Sequence, residues 1–231
     1  IDVGQPKLGQ TLGPGVEHVA QQGAGLHPVP GQFALDQGLD AFERLDLLVR
    51  LDGTVGDLLP LTSEPYDRGH DSGESPAVAL ATIALEGDAV EGTPLPDAGP
   101  PLEILPETAP AVPLVLDEEF RDGVLAFTIN GEVFPDVPRI DVGTGELRRL
   151  EIENKAEMDH PFHLHGFFFQ EVEHDGVAVP PEARVQKDTI IVPQKSTMAL
   201  VARFDEPGMW MYHCHILEHQ ELGMMGEIHV E

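Results

Sequence analysis

The chain has a single cysteine, Cys214, in 231 residues. One cysteine excludes an intramolecular disulfide, which leaves a buried thiol, a reactive thiol or a metal ligand. Basic residues are scarce: 13 Lys and Arg, four of them lysine, stand against 41 Asp and Glu, for a formal charge of −28. So negative a chain is a poor partner for nucleic acid or an anionic membrane surface. The same acidity favours solubility and suits a saline habitat. No run approaches the roughly 18 uninterrupted apolar residues of a membrane span. Helical periodicity is rare and no internal repeat is obvious. The chain opens at Ile1 with no methionine, no basic segment and no apolar leader segment. Either a leader has been removed or the numbered chain is the later part of a longer one.

What is present is punctuation. Gly (24) and Pro (21) are abundant, with short β-branched runs between them, the pattern of an all-β sandwich or barrel. In the first part, residues 43–51 (ERLDLLVRL) and 76–87 (PAVALATIALEG) read as strands. Residues 87–113 are rich in proline, cannot pair as a central strand and read as an interdomain linker. Beyond it, LAFTINGEVF (125–134) reads as a hairpin turning at Asn130-Gly131. ELRRLEIENK (146–155) alternates, with Leu147, Leu150 and Ile152 as core candidates. DTIIVPQKSTMALVARF (188–204) reads as two strands around a Pro-Gln-Lys turn, and MGEIHVE (225–231) as a terminal strand. Seven or eight strands in this stretch fit a Greek-key β-sandwich.

Two segments carry the chemistry: DHPFHLHGFFF (159–169) and WMYHCHILEHQELGMM (210–225). On a strand, side chains alternate between faces. His213 and His215 then share one face while Cys214 points through the other. His163 and His165 also share a face, and His160, three residues before His163, can be aimed elsewhere. One ligand group offers Cys214, His160, His219 and Met224; the other offers His163, His165, His213 and His215. Two imidazoles and a thiolate with a weak axial thioether make the blue, or type 1, copper site of electron-transfer proteins. Zinc is the rival metal, although its tetrahedral cysteine and histidine sets rarely include methionine. Four histidines without a carboxylate suit further copper.

HPFHLHG and HCHILEHQELGMM resemble the two carboxy-terminal copper motifs of the multicopper oxidases, a family that includes laccases, bilirubin oxidases and cuprous oxidases. The resemblance covers 114–231 as the last cupredoxin domain. It reaches 1–86 as part of the preceding cupredoxin-like domain, where ERLDLLVRL and PYDRGH are similar, with 87–113 as the linker. It implies His160, Cys214, His219 and Met224 around type 1 copper, His163 on type 2 copper, and His165, His213 and His215 on the type 3 pair. It further implies a secreted or periplasmic oxidase. A small reducing substrate, whether a phenol, an aromatic amine or a metal ion, gives single electrons through the edge of His219. They travel by way of Cys214 to His213 and His215, and four of them reduce O2 to water. Residues on a strand are only about 3.3 Å apart, so that bonded route is short.

The family's three-copper cluster takes eight histidines, and this chain carries no third His-X-His motif. His18, His27, His70, His174 and His229 stand apart; His229, beside Glu227 and Glu231, reads as surface. An amino-terminal domain or a neighbouring subunit is therefore required as partner. The alternative is a mononuclear type 1 electron-transfer module without oxidase activity. A nitrite reductase is opposed by the HCH triplet, and a copper-free relative by the four retained type 1 ligands. Many members carry an acidic residue where this chain has Gln220, so proton delivery falls to Glu221, Asp159 or water. Met209, Met211 and Met225 read as packing, Phe167, Phe168 and Phe169 as a dry wall, Trp210 and Tyr212 as core. Glu218 and Glu221 read as a solvated edge.

Overall fold

The computed structural model describes residues 53–63, 65–69, 73–88 and 101–231, together with the backbone of two strands, β1 (Gly25–Val29) and β2 (Gln32–Asp36). The chain divides into two compact units, the second including the described residues 67–69, 73–74 and 101–231. In the first unit β1 and β2 form an antiparallel pair, β2 runs parallel to β3 (Leu58–Thr62), and β3 pairs antiparallel with β4 (Ala79–Ala84). The second strand expected in this part is thus narrower than 76–87. The one expected over 43–51 lies outside the described residues.

The second unit is a sandwich of two sheets. Its strands are β5 (Ala111–Arg121), β6 (Val124–Ile129), β7 (Ile140–Val142), β8 (Glu146–Asn154), β9 (His160–Leu164), β10 (Phe169–His174), β11 (Val177–Ala178), β12 (Thr189–Val192), β13 (Thr197–Phe204), β14 (Gly208–Cys214) and β15 (Met225–Val230), with one short helix, α1 (Leu217–Glu221). A six-stranded sheet runs β11-β10-β13-β8-β5-β6 and a five-stranded sheet runs β12-β9-β14-β15-β7. This is the cupredoxin-like all-β fold expected, with more strands than the seven or eight read from the pattern. Several are too short to show a period.

Alternation along each strand decides what fills the interior. On β8, Leu150 and Ile152 point inward with exposures of 0% and 1%. They meet Phe162 and Leu164 of β9, Tyr212 of β14 and Ile228 of β15 in one core cluster. Burying each such side chain contributes about 1.5–3 kcal/mol relative to leaving it in water. Leu147 has the opposite parity to Leu150 and Ile152. It packs on the other side of the sheet with Leu105, Val172, Ala199 and Val201, a correction to its place in the core.

Three further expectations change. The proline-rich stretch 87–113 does not stay a linker to its end: Leu105 is buried, and β5 begins at Ala111. Pro113 is tolerated there because it pairs only with Glu151 of β8; β6 joins β5 at Leu116 and beyond, so no partner asks for its missing N–H. Asn130 and Gly131 do turn through positive φ, 55° and 77°, but the return arm is a single bridge, Ile129 to Glu132. The full hairpin is β5–β6, turning at Asp122-Gly123 with φ of 52° and 80°, the type I′ signature. Finally, β12 and β13 flank the Pro-Gln-Lys turn but enter different sheets.

Candidate metal centre

The two histidine groups are separated by strand parity. β9 and β14 pair antiparallel, with Leu164 opposite Tyr212, His163 opposite His213 and Phe162 opposite Cys214. Even-numbered His160, Phe162 and Leu164 therefore share the interior face with Tyr212 and Cys214. Odd-numbered His163 and His165 share the outer face with His213 and His215.

On the interior side His160, Cys214 and His219 converge, all buried, with their ligand atoms within 4.8 Å of one another. Cys214 Sγ lies 3.6 Å from His160 Nδ1 and 3.4 Å from His219 Nδ1, and the two Nδ1 atoms are 3.0 Å apart. His219 reaches this point from α1, a single helical turn after Ile216. Met224 is fully buried and is tied to the same group through its main chain. Its N–H donates to the His219 carbonyl at 3.0 Å, and its carbonyl accepts the Cys214 N–H at 3.1 Å. Burial, and then the neighbouring His219, hold the His160 imidazole down to about 3. Burial, and then the charge of Arg68, hold His219 at about 4. Both rings are neutral at ordinary pH and aim nitrogens at one sulfur.

On the outer side, His163, His165 and His213 place ligand atoms within 4.8 Å of one another. The His215 ring lies 5.0 Å from that of His163 and 5.5 Å from that of His213, centre to centre. Here the opposite nitrogen is presented. His163 Nδ1 lies 2.9 Å from the Asp188 carbonyl and 2.8 Å from Thr189 Oγ1, and His213 Nδ1 lies 2.9 Å from the Cys214 carbonyl. A carbonyl only accepts, so Nδ1 carries the proton in both rings and the lone pair sits on Nε2. His165 and His213 face each other through Nε2 at 2.9 Å. Burial lowers the His213 pKa, and the nearby imidazoles of His165 and His215 add to that, against the Cys214 carbonyl. His165 is exposed and His163 partly so, which leaves this group open on one side.

Several positioning residues escaped the sequence reading. Asn154 sits buried at a β8 position where Leu150 and Ile152 set an apolar rhythm, and that break was a usable signal. Its side-chain amide donates to the carbonyls of Met158, Val192 and Pro193, and its Oδ1 accepts the Ala156 N–H. It thereby shapes the loop that delivers His160. Asp188, Thr189 and Phe127 gave no such signal. Of the expected dry wall, Phe167 and Phe169 are buried but Phe168 is 56% exposed, so it does not line the interior. Tyr212 is core, whereas Trp210 packs from the edge. Met209 is exposed and Met211 and Met225 half-buried. Asp159 accepts the Gln194 N–H, and Glu218 and Glu221 are exposed. His174 faces Glu171 and Asp175 and His229 faces Asp141. His18 and His70, and the side chain of His27, lie outside what is described.

Residues 106–231 match the family described as Multicopper oxidase, more than half of the 231 residues. The chain belongs to the multicopper oxidase family. It is 43% identical over 110 residues to the multicopper oxidase mco of Staphylococcus epidermidis, 45% of this chain and 24% of that one. It is 28% identical over 243 residues to a laccase of Haloferax volcanii, 89% of this chain and 40% of that one. Among solved structures it is similar to a multicopper oxidase from Campylobacter jejuni, described as a metallo-oxidase. That likeness has a TM-score of 0.65 and 30% identity over 79% of this chain and 42% of the other. The chain thus spans less than half the length of each of these multicopper oxidases.

Copper is the metal the family implies, and the interior donors fit it. A thiol and two neutral imidazoles converge, and soft sulfur beside imidazole is the donor set copper favours. Among the described residues no helix is long and apolar enough to cross a membrane.

Proposed function

We propose that this chain is the carboxy-terminal part of a laccase-like multicopper oxidase, coupling one-electron oxidation of a small donor to four-electron reduction of O2 to water. The observation that carries the reading is the opposed aim of neighbouring residues. Cys214 enters the buried group while His213, one peptide away, enters the outer one.

In this reading His160, Cys214, His219 and Met224 hold type 1 copper. His163 belongs to type 2 copper, and His165, His213 and His215 belong to the type 3 pair. Copper supplies the one-electron couple and the site at which oxygen is reduced. The chain does the rest. Phe127, Phe162 and Leu164 exclude water from the interior group. The carbonyls of Asp188 and Cys214 fix the protons of His163 and His213 on Nδ1, so that Nε2 is the ligand atom. The covalent link from Cys214 to its neighbours keeps the two groups a few bonds apart. His219 and Cys214 would be the catalytic residues of the copper-loaded site, His219 offering the entry edge for electrons and Cys214 the exit. The donor is a phenol, an aromatic amine or a metal ion. The remaining cluster histidines come from an amino-terminal domain or a neighbouring subunit, and the enzyme works in a secreted or periplasmic setting.

Copper quantitation with electron paramagnetic resonance on the whole native polypeptide tests the proposal. A type 1 signal together with a type 2 signal and a full copper complement is the expected result. A single type 1 copper, with no oxygen uptake, would overturn it in favour of an electron-transfer module.

A further inference from the structure

Helix α1 is five residues long and has no side-chain cap at its start. An isolated helix of that length does not persist on its own, so whatever aims His219 lies outside it. The structure supplies one residue that grips α1 in two ways, and it comes from the opposite sheet. The N–H of Phe127, on β6, donates to the carbonyl of Leu222 at 3.1 Å, at the end of α1. The contact is close enough that Gly223, at φ +120°, has no room for a side chain: a Cβ there would lie 2.6 Å from Val133 and 3.0 Å from the Phe127 carbonyl. Meanwhile the Phe127 ring stacks face to face on the His219 imidazole, with centres 3.9 Å apart and planes at 19°. The same ring meets His160 edge-on at 6.0 Å and 76°. Phe127 is 2% exposed.

The terminal torsion of a histidine is broad, so the helix backbone alone leaves the ring plane of His219 loosely set. A flat apolar partner on one face removes that freedom and keeps water off that face. A branched aliphatic side chain fills similar space but imposes no plane.

We propose that Phe127 is the positioning residue of His219, holding its imidazole so that Nδ1 faces Cys214 Sγ and His160 Nδ1 before any ion arrives. The claim rests on the reading of these three residues as metal ligands. Outer residues that orient a ligand typically change metal affinity by about 10–100-fold when removed. Loss of the ring plane with a smaller apolar side chain still filling the site belongs near the lower end.

The test uses the whole chain in three forms: wild type, Phe127→Leu and Phe127→Tyr. In the metal-free wild type, proton NMR should show His219 ring protons moved upfield by the stacked ring, in one conformation. Averaged ring signals there would overturn the proposal without any variant. Titration with Cu(II) should show Phe127→Leu folded but binding about tenfold more weakly, with an altered paramagnetic resonance spectrum, and Phe127→Tyr close to wild type. A folded Phe127→Leu with wild-type affinity and spectrum would also overturn it. If the wild type takes up no thiolate-bound copper, the ligand reading fails, while the metal-free NMR result still judges Phe127.

Discussion

The interior and outer groups of this molecule both draw on β9 and β14, the interior one adding His219 from α1, and they differ in almost everything else. The interior one presents Nδ1 atoms to a sulfur and is closed: His160, Cys214 and His219 are all buried. The outer one presents Nε2 atoms and is open, with His165 exposed. A one-residue step along a strand is enough to produce the contrast, because it reverses the face while keeping the peptide link. In the proposed reading one group is furnished by this chain and the other is half of something shared.

The sharpest way to separate the two is to strike each in turn. Cys214→Ser should abolish the intense visible thiolate-to-copper absorption and oxygen uptake together, read by absorption spectroscopy and an oxygen electrode. Undiminished turnover would sink the bonded route between the groups. His213→Ala, at the adjacent residue, should reduce oxygen uptake to background yet leave the visible band in place. A band lost along with activity would show that the two groups are not independent.

Smaller effects probe how the contrast is maintained. Asn154→Ala removes the side-chain donor to the buried Met158 and Val192 carbonyls and the acceptor of the Ala156 N–H, around the loop that delivers His160. It should cost about 3 kcal/mol in urea unfolding and weaken the interior group more than the outer one. An unchanged unfolding midpoint would remove Asn154 from the account. Acidification should distinguish the groups as well. In the metal-free protein the fold holds His160 neutral to about 3 and His219 to about 4, whereas unfolded imidazoles titrate near 6.5. Below about pH 6.5 the unfolded chain binds the extra protons, so stability falls as pH drops toward those folded values and is untouched above. With both rings contributing, the slope reaches about 2.7 kcal/mol per pH unit. Urea titrations across that range check it, and His160→Gln should remove about half of the slope.

Much of this was legible in the sequence because the signals are local. His-X-His and His-Cys-His state their own parity, and His160 is offset from His163 by an odd number, so two faces could be assigned before any fold was known. Leu150 and Ile152 follow the alternation of β8 into the core; Leu147 has the opposite parity, so its apolar character alone points to the wrong face. What stayed hidden depends on strand neighbours. Thr189 reaches His163 only because β12 pairs with β9, and Phe127 reaches His219 only because two sheets face each other. Residues 87–113 read as a linker because proline suppresses the strand signal, yet β5 begins within them at Ala111, where an extended chain with a one-sided partner accommodates proline readily.

That same stretch has a consequence for assembly. Leu105 and Ala109 pack with Leu147, Val172, Ala199 and Val201 over the back of the six-stranded sheet. Arg184, 2% exposed, donates to the Leu105 carbonyl and pairs with Glu107, fastening the strap down. One broad side of the sandwich is thus upholstered by the chain itself, while the other sheet carries the histidine group that opens to solvent at His165. For the partner proposed above, only the histidine-bearing side of this sandwich is left to complete.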